Sequence, residues 1–145
     1  MDDLIIAMKI LFASNFVLYL KTHNFHVNVT GMFFTSLHQL FQGQYEDLQE
    51  QIDTIAEKIR QLDSFAPMSI AEIQQQSAIE DFAGTSDARG YLSMLEADQE
   101  KMIVVLHRAF ELANATGQDG ISNYLQDRMD QHGKNRWMLK ATQQK

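Results

Sequence analysis

Asn24-Phe25-His26-Val27-Asn28-Val29-Thr30-Gly31 ends one apolar helical pattern, and the next opens two residues later and runs from Phe33 to Leu62. In that second pattern Leu37, Phe41, Tyr45, Leu48, Ile52, Ile55, Ile59 and Leu62 recur at intervals of three or four, the period of an α-helix with one buried stripe. At about 1.5 Å rise per residue the helix is roughly 45 Å long, enough to span a four-helix bundle. Gly31 can take the positive φ that a tight reversal before it requires.

Working outward, Leu4, Met8, Leu11 and Leu18, widened by Ile5, Phe12, Phe16 and Tyr19, predict a first helix from Asp2 or Asp3 to about Asn28. After Leu62, Asp63 to Pro67 is a connection. Ser69-Ile70-Ala71-Glu72 has the capping-box pattern and predicts a short helix near Ile70 to Gln75. Ser77 to Thr85 reads as loop. Ser86 is expected to cap a third long helix reaching about Ala115, with Tyr91, Leu95, Met102, Val105, Phe110 and Leu112 on its buried side and Thr116-Gly117 as its stop. Asp119 is expected to cap a fourth, with Ile121, Leu125, Arg128, His132 and Leu139 on one face, and Gln143 to Lys145 frayed. The link between the second and third long helices is roughly 23 residues, far beyond an ordinary antiparallel turn. It lets the chain travel the bundle's length and restart from the other end. The expected fold is therefore all-α: one domain over residues 1–145, a ferritin-like four-helix bundle whose long crossover carries a short extra helix.

The 145-residue chain is 45% hydrophobic with one proline, which suits a folded, helix-rich domain. A net charge of -7 opposes broad electrostatic binding to nucleic acid and is compatible with attracting cations. Without cysteine, disulfides and thiolate metal sites are both excluded. The apolar run Leu4 to Leu20 starts acidic, contains Lys9, and is interrupted by Ser14 and Asn15. Neither a signal peptide nor a membrane span is expected from it, and the protein is expected to be cytoplasmic.

Four residues around the opening stretch can bind metal: His26, His38, Asp53 and Glu57. Asp53 and Glu57 are four apart and share a helix face, where like charges repel unless a cation offsets them. His38 precedes Asp53 by fifteen residues, roughly 22 Å along an unbroken helix, whereas ligands lie within about 2–2.5 Å of their ion. One copy of the helix cannot bring both to one ion. Either the two groups are unrelated, or a second subunit completes the site; a two-fold axis would set antiparallel copies of the helix side by side. The Glu-x-x-His motif of an ordinary in-bundle di-iron centre is absent.

Lys21-Thr22-His23-Asn24-Phe25-His26-Val27-Asn28-Val29-Thr30-Gly31, followed by His38 and then Asp53-x-x-x-Glu57, resembles the ferroxidase signature of the Dps family of mini-ferritins, the DNA-binding proteins from starved cells. His132-Gly133-Lys134-Asn135-Arg136-Trp137-Met138-Leu139 is similar to the family's last-helix segment, so the resemblance covers essentially the whole chain. It implies a hollow homododecamer with iron sites across two-fold interfaces, His26 and His38 from one subunit and Asp53 and Glu57 from the other. It implies iron as the metal, Fe(II) oxidised with hydrogen peroxide or dioxygen, and ferric storage that protects against oxidative damage. Asp119, Asp127 and Asp130 are pore candidates for iron entry.

The sequence also departs from that pattern. Val27 follows His26 where the family usually has Trp, which leaves Tyr45 as a stand-in aromatic. Gln42 stands four residues beyond His38 where an acidic group is common, and an amide is the weaker ligand for a hard cation. One firm iron position and a weak second one near Gln42 are expected. Gly133 replaces a Glu. The family's lysine-rich DNA-binding tails have no counterpart, since the helical pattern begins at Leu4; Lys134, Arg136, Lys140 and Lys145 read as a solvated face, and direct DNA binding is not expected. His23 and His107 read as structural or surface groups, and Trp137 as a core or interface anchor. The alternatives to a ferroxidase cage are a Dps-like shell or metal-binding protein with reduced ferroxidase activity, and a metal-binding dimer that never closes into a cage.

Overall fold

A computed structural model describes residues 1–144 and holds five helices: α1 (Asp2–Asn28), α2 (Phe34–Gln61), α3 (Ile70–Gln76), α4 (Ala88–Ala115) and α5 (Asp119–Gln143). Cross-helix contacts give their directions. Asn15 Nδ2 donates to Leu48 O at 2.9 Å while His26 meets His38, so α1 and α2 are antiparallel. Phe25 stacks on Tyr91 and Lys21 pairs with Asp98, so α1 and α4 are also antiparallel. It follows that α2 and α4 point the same way, the arrangement a full-length crossover requires.

The eight-residue stripe of α2 is buried at Leu37, Phe41, Leu48, Ile55, Ile59 and Leu62, with Tyr45 and Ile52 half-buried. The inner face of α4 differs from the expected one beyond Met102. Leu106, Ala109 and Ala113 are the buried residues there, and Val105, Phe110 and Leu112 only flank them. The run Met102-Ile103-Val104-Val105-Leu106 is apolar on every side, so its pattern does not choose a face; packing against α1 and α5 does. Each fully buried Leu or Phe contributes about 1.5–3 kcal/mol.

Helix ends depart from expectation at two caps. Asp87, not Ser86, caps α4: its Oδ1 accepts from Gly90 N at 2.8 Å. Asp119 is the first residue of α5 rather than its cap, and Gln118 holds the cap position without a side-chain bond. The reason lies in the preceding turn. Gly117, at φ +71°, lets Gln118 N donate back to Ala113 O, so the backbone closes α4 and opens α5 together. A matching turn ends α2, where Ser64 N donates to Ile59 O and Asp63 N to Arg60 O, with Asp63 at φ +61° in the place glycine usually takes. Ser69 caps α3 as the capping box predicts, and Gly31 reverses the chain at φ +112°. α5 runs through Gln143, whose side chain accepts from Ser93 and donates to Glu96 on α4, so the fraying expected from Gln143 does not begin there; Lys145 lies outside the described residues.

By length and composition α1 could cross a membrane, against the sequence expectation, but more than half of that window is buried inside the bundle. Its polar atoms are matched there. Ser14 Oγ accepts from Ala78 N at 2.9 Å, and Lys21 Nζ reaches both Asp98 and Glu80 O.

Candidate metal centre

The α1–α2 hairpin brings His26, in the last turn of α1, against His38 near the start of α2. The rings stack with centroids 3.7 Å apart. Each imidazole is tied to the other's backbone: His26 Nδ1 to His38 O at 2.6 Å, and His38 Nδ1 to His26 O at 2.7 Å. A carbonyl can only accept, so both Nδ1 atoms carry a proton, and the lone pair of each imidazole in its neutral form lies on Nε2. That is the tautomer a metal-ligating histidine needs, fixed by a second set of bonds. His26 is buried and His38 half-buried, with Phe34 stacked on the outer face of His38 at 5.0 Å.

Asp53 and Glu57 stand exposed on α2. The Glu57 carboxyl is held above its ordinary range, first by a hydrogen bond with Asp53, then by the Asp53 charge and a small loss of solvent. Asp53 and Glu57 are one turn apart on that exposed face, where a divalent cation would offset their mutual repulsion. The histidine pair and the carboxylate pair remain two separate halves. Among the described residues no group of three His, Cys, Asp or Glu side chains comes together in one chain, as the helix rise requires.

The bundle interior offers no alternative. Arg128 binds Asp47 with two parallel bonds of 3.0 and 2.8 Å, which places a permanent cation there. His132 has both ring nitrogens in use, Nε2 at 3.2 Å from Arg128 Nη2 and Nδ1 at 2.6 Å from Gln99 Oε1. Burial first, then the Arg128 charge, hold its pKa down to about 3. Sequence periodicity puts Arg128 and His132 on the inner face of α5, but their partners on α2 and α4 have no local signal.

The remaining candidates fall as follows. The Gln42 amide donates to Glu46 Oε1 at 2.7 Å, tying a carboxylate that the sequence reading passed over. Asp119, Asp127 and Asp130 are all exposed along α5. His107 is a surface group paired with Glu111, but His23 is half-buried against two tyrosines. Trp137 is 64% exposed, so the core reading of it is wrong. Arg136 is engaged by Glu100, while Lys134 and Lys140 are exposed.

Comparison with known proteins agrees with this architecture. A ferritin-like domain family matches residues 7–145. The chain is 32% identical to DNA protection during starvation protein 2 of Bacillus anthracis, covering 86% of each. It is 34% identical to a low temperature-induced protein of Nostoc sp., covering 89% of this chain and 73% of that one. Among solved structures it superposes on Dps from Staphylococcus aureus with a TM-score of 0.96 at 26% identity, over 100% of this chain and 97% of that one. On a Dps protein from Vibrio cholerae O1, described as a member of a broad superfamily of ferritin-like diiron-carboxylate proteins, the TM-score is 0.94 at 29% identity, over 99% and 90% of the two chains.

Proposed function

This chain belongs to the Dps family of ferritin-like proteins, and from that premise we propose that it is a ferroxidase whose site two subunits share. His26 and His38 of one subunit and Asp53 and Glu57 of the other hold Fe(II), which is the substrate. Peroxide or dioxygen takes its electrons, and a hollow dodecamer stores the ferric product in the cytoplasm, limiting oxidative damage. The observation that carries this reading is the histidine pair, with each Nδ1 fixed on the other's carbonyl and both Nε2 lone pairs left over. Two imidazoles and two carboxylates suit iron among the divalent metals.

A half-site needs a covering surface. Around the histidine end Val27, Met32, Phe33 and Phe34 are all exposed, Met32 to 91%. An apolar rim around polar ligands is the surface a partner subunit leaves when it is removed. The test compares Fe(II) oxidation by peroxide and by dioxygen in the parent and in Asp53→Ala combined with Glu57→Gln. A fall of about 100-fold or more is expected, in line with losing first-rank ligands. Equal rates would sink the assignment.

A second reading has its own observation. Gln42 is a neutral amide already engaged with Glu46, so the second iron position lacks a carboxylate, and a shell with reduced ferroxidase activity would show slow oxidation in a fully assembled protein. Sedimentation separates a dodecamer from an open dimer, and the iron-oxidation rate then separates the cage readings.

A further inference from the structure

The aromatic rings do not stop at the histidine pair. Tyr45 lies 5.0 Å from His26 between ring centroids, and His23 stacks on Tyr45 at 4.0 Å with planes 4° apart. Tyr19 stands edge-on to both, 5.7 Å from His23 and 6.2 Å from Tyr45. Its phenol oxygen is 3.1 Å from His23 Nδ1. When His23 carries its proton on Nε2, its Nδ1 lone pair accepts from the phenol O–H. All three side chains are half-buried in the α1–α2 seam, beside ligands held for metal.

The proposed reaction needs an electron from somewhere. Hydrogen peroxide takes up two electrons, and one Fe(II) supplies one. With Gln42 where a second-position carboxylate would be, iron is held firmly at one position. The missing equivalent then leaves as hydroxyl radical unless a neighbouring group provides it. A phenol gives up an electron readily only when its proton has an acceptor at hand, and His23 Nδ1 is such an acceptor.

The geometry points to Tyr19, with His23 as its proton acceptor and Tyr45 edge-on between it and His26, as the second electron donor in peroxide-driven iron oxidation. This rests on the ferroxidase reading above. In the step the peroxide O–O bond breaks, Fe(II) becomes Fe(III), and Tyr19 becomes its neutral radical. One hydroxide and one water form, the phenol's proton being passed through His23 and accounted for in the water. A second Fe(II) and a proton then restore the phenol and leave a second Fe(III). Two irons are oxidised per peroxide although only one is held at a time.

The test mixes the assembled protein, loaded with Fe(II), with hydrogen peroxide and freezes it within milliseconds for electron paramagnetic resonance. A spin trap reports escaping hydroxyl radical in parallel, and the optical trace reports iron oxidation. The parent should show an organic radical whose spectrum narrows when ring-deuterated tyrosine is incorporated. Tyr19→Phe should lose most of that signal and raise the hydroxyl adduct several-fold. His23→Leu, which keeps the phenol but removes its proton acceptor, should do the same, whereas a purely structural Tyr19 would leave both readouts unchanged. A tyrosyl signal in Tyr19→Phe equal to the parent's, or an unaltered adduct yield, overturns the relay while leaving the ferroxidase reading intact. Absence of any peroxide-driven iron oxidation in the parent overturns both, and the optical trace shows which has failed.

Discussion

His132 has no room for a second proton. Its pKa is lowered from 6.5 to about 3 by burial and by Arg128, and both ring nitrogens are already bonded. The unfolded chain takes up a proton here below about pH 6.5 and the folded one does not until about pH 3. This group's contribution is therefore complete above pH 6.5 and is lost as the pH falls toward 3, at up to about 1.4 kcal/mol per pH unit. Chemical denaturation across that range should show the slope, and His132→Gln should make it shallower by about one proton's worth. Gln42 gives a second prediction at the same scale. If the proposed second iron position is weak because Gln42 is an amide, replacing it with Glu should raise anaerobic Fe(II) titration from about one iron per subunit toward two. A stoichiometry that stays at the parent value would place the second position elsewhere.

Between elements, the pair that joins α1, α4 and the crossover is Lys21 with Asp98. Their charged atoms are 2.8 Å apart, with side chains only 6% and 4% exposed, and Lys21 also donates to Glu80 O. Burial pushes the Asp98 carboxyl up, and the Lys21 charge opposes that shift without cancelling it. The pair therefore adds little net stability, but each member depends on the other. Asp98→Ala strands a buried ammonium and should cost about 3–5 kcal/mol, while Lys21→Met combined with Asp98→Leu should recover most of that loss. Urea unfolding of the three proteins measures it; a double variant as unstable as the single one would contradict the desolvation account. The elements also show where sequence patterns lose force. The stripe of α2 was legible because polar residues separate its apolar ones. On α4 the run from Met102 to Leu106 is apolar all round, and only the packing of the bundle buries Leu106 and leaves Val105 half-buried.

At the scale of the whole molecule, the proposed ligands fall into two pairs, His26 with His38 and Asp53 with Glu57, that do not come together in one chain. Complementation follows from that separation. A protein with His26→Ala and His38→Ala, and one with Asp53→Ala and Glu57→Gln, should each be inactive alone. Unfolded together and reassembled, they form mixed two-fold pairs in which one of the two shared sites has all four ligands. About a quarter of parental activity is expected from random mixing of equal amounts, since half of the pairs are mixed and each has one intact site of two. Activity that never returns, in particles shown by sedimentation to be mixed, would contradict sharing across subunits.

The sequence by itself determined the order of helices, the crossover and the separation of the ligands into two groups. Those follow from period, turn chemistry and the fixed rise of a helix, which are local properties. Only the tertiary structure decided that His26 and His38 lock each other's tautomer, that Arg128 and His132 close the bundle interior, and that Tyr19, His23 and Tyr45 continue the rings away from the site. Each of these depends on the register of one helix against another, and register is set by how side chains from distant parts of the chain fit together. No local pattern carries that information.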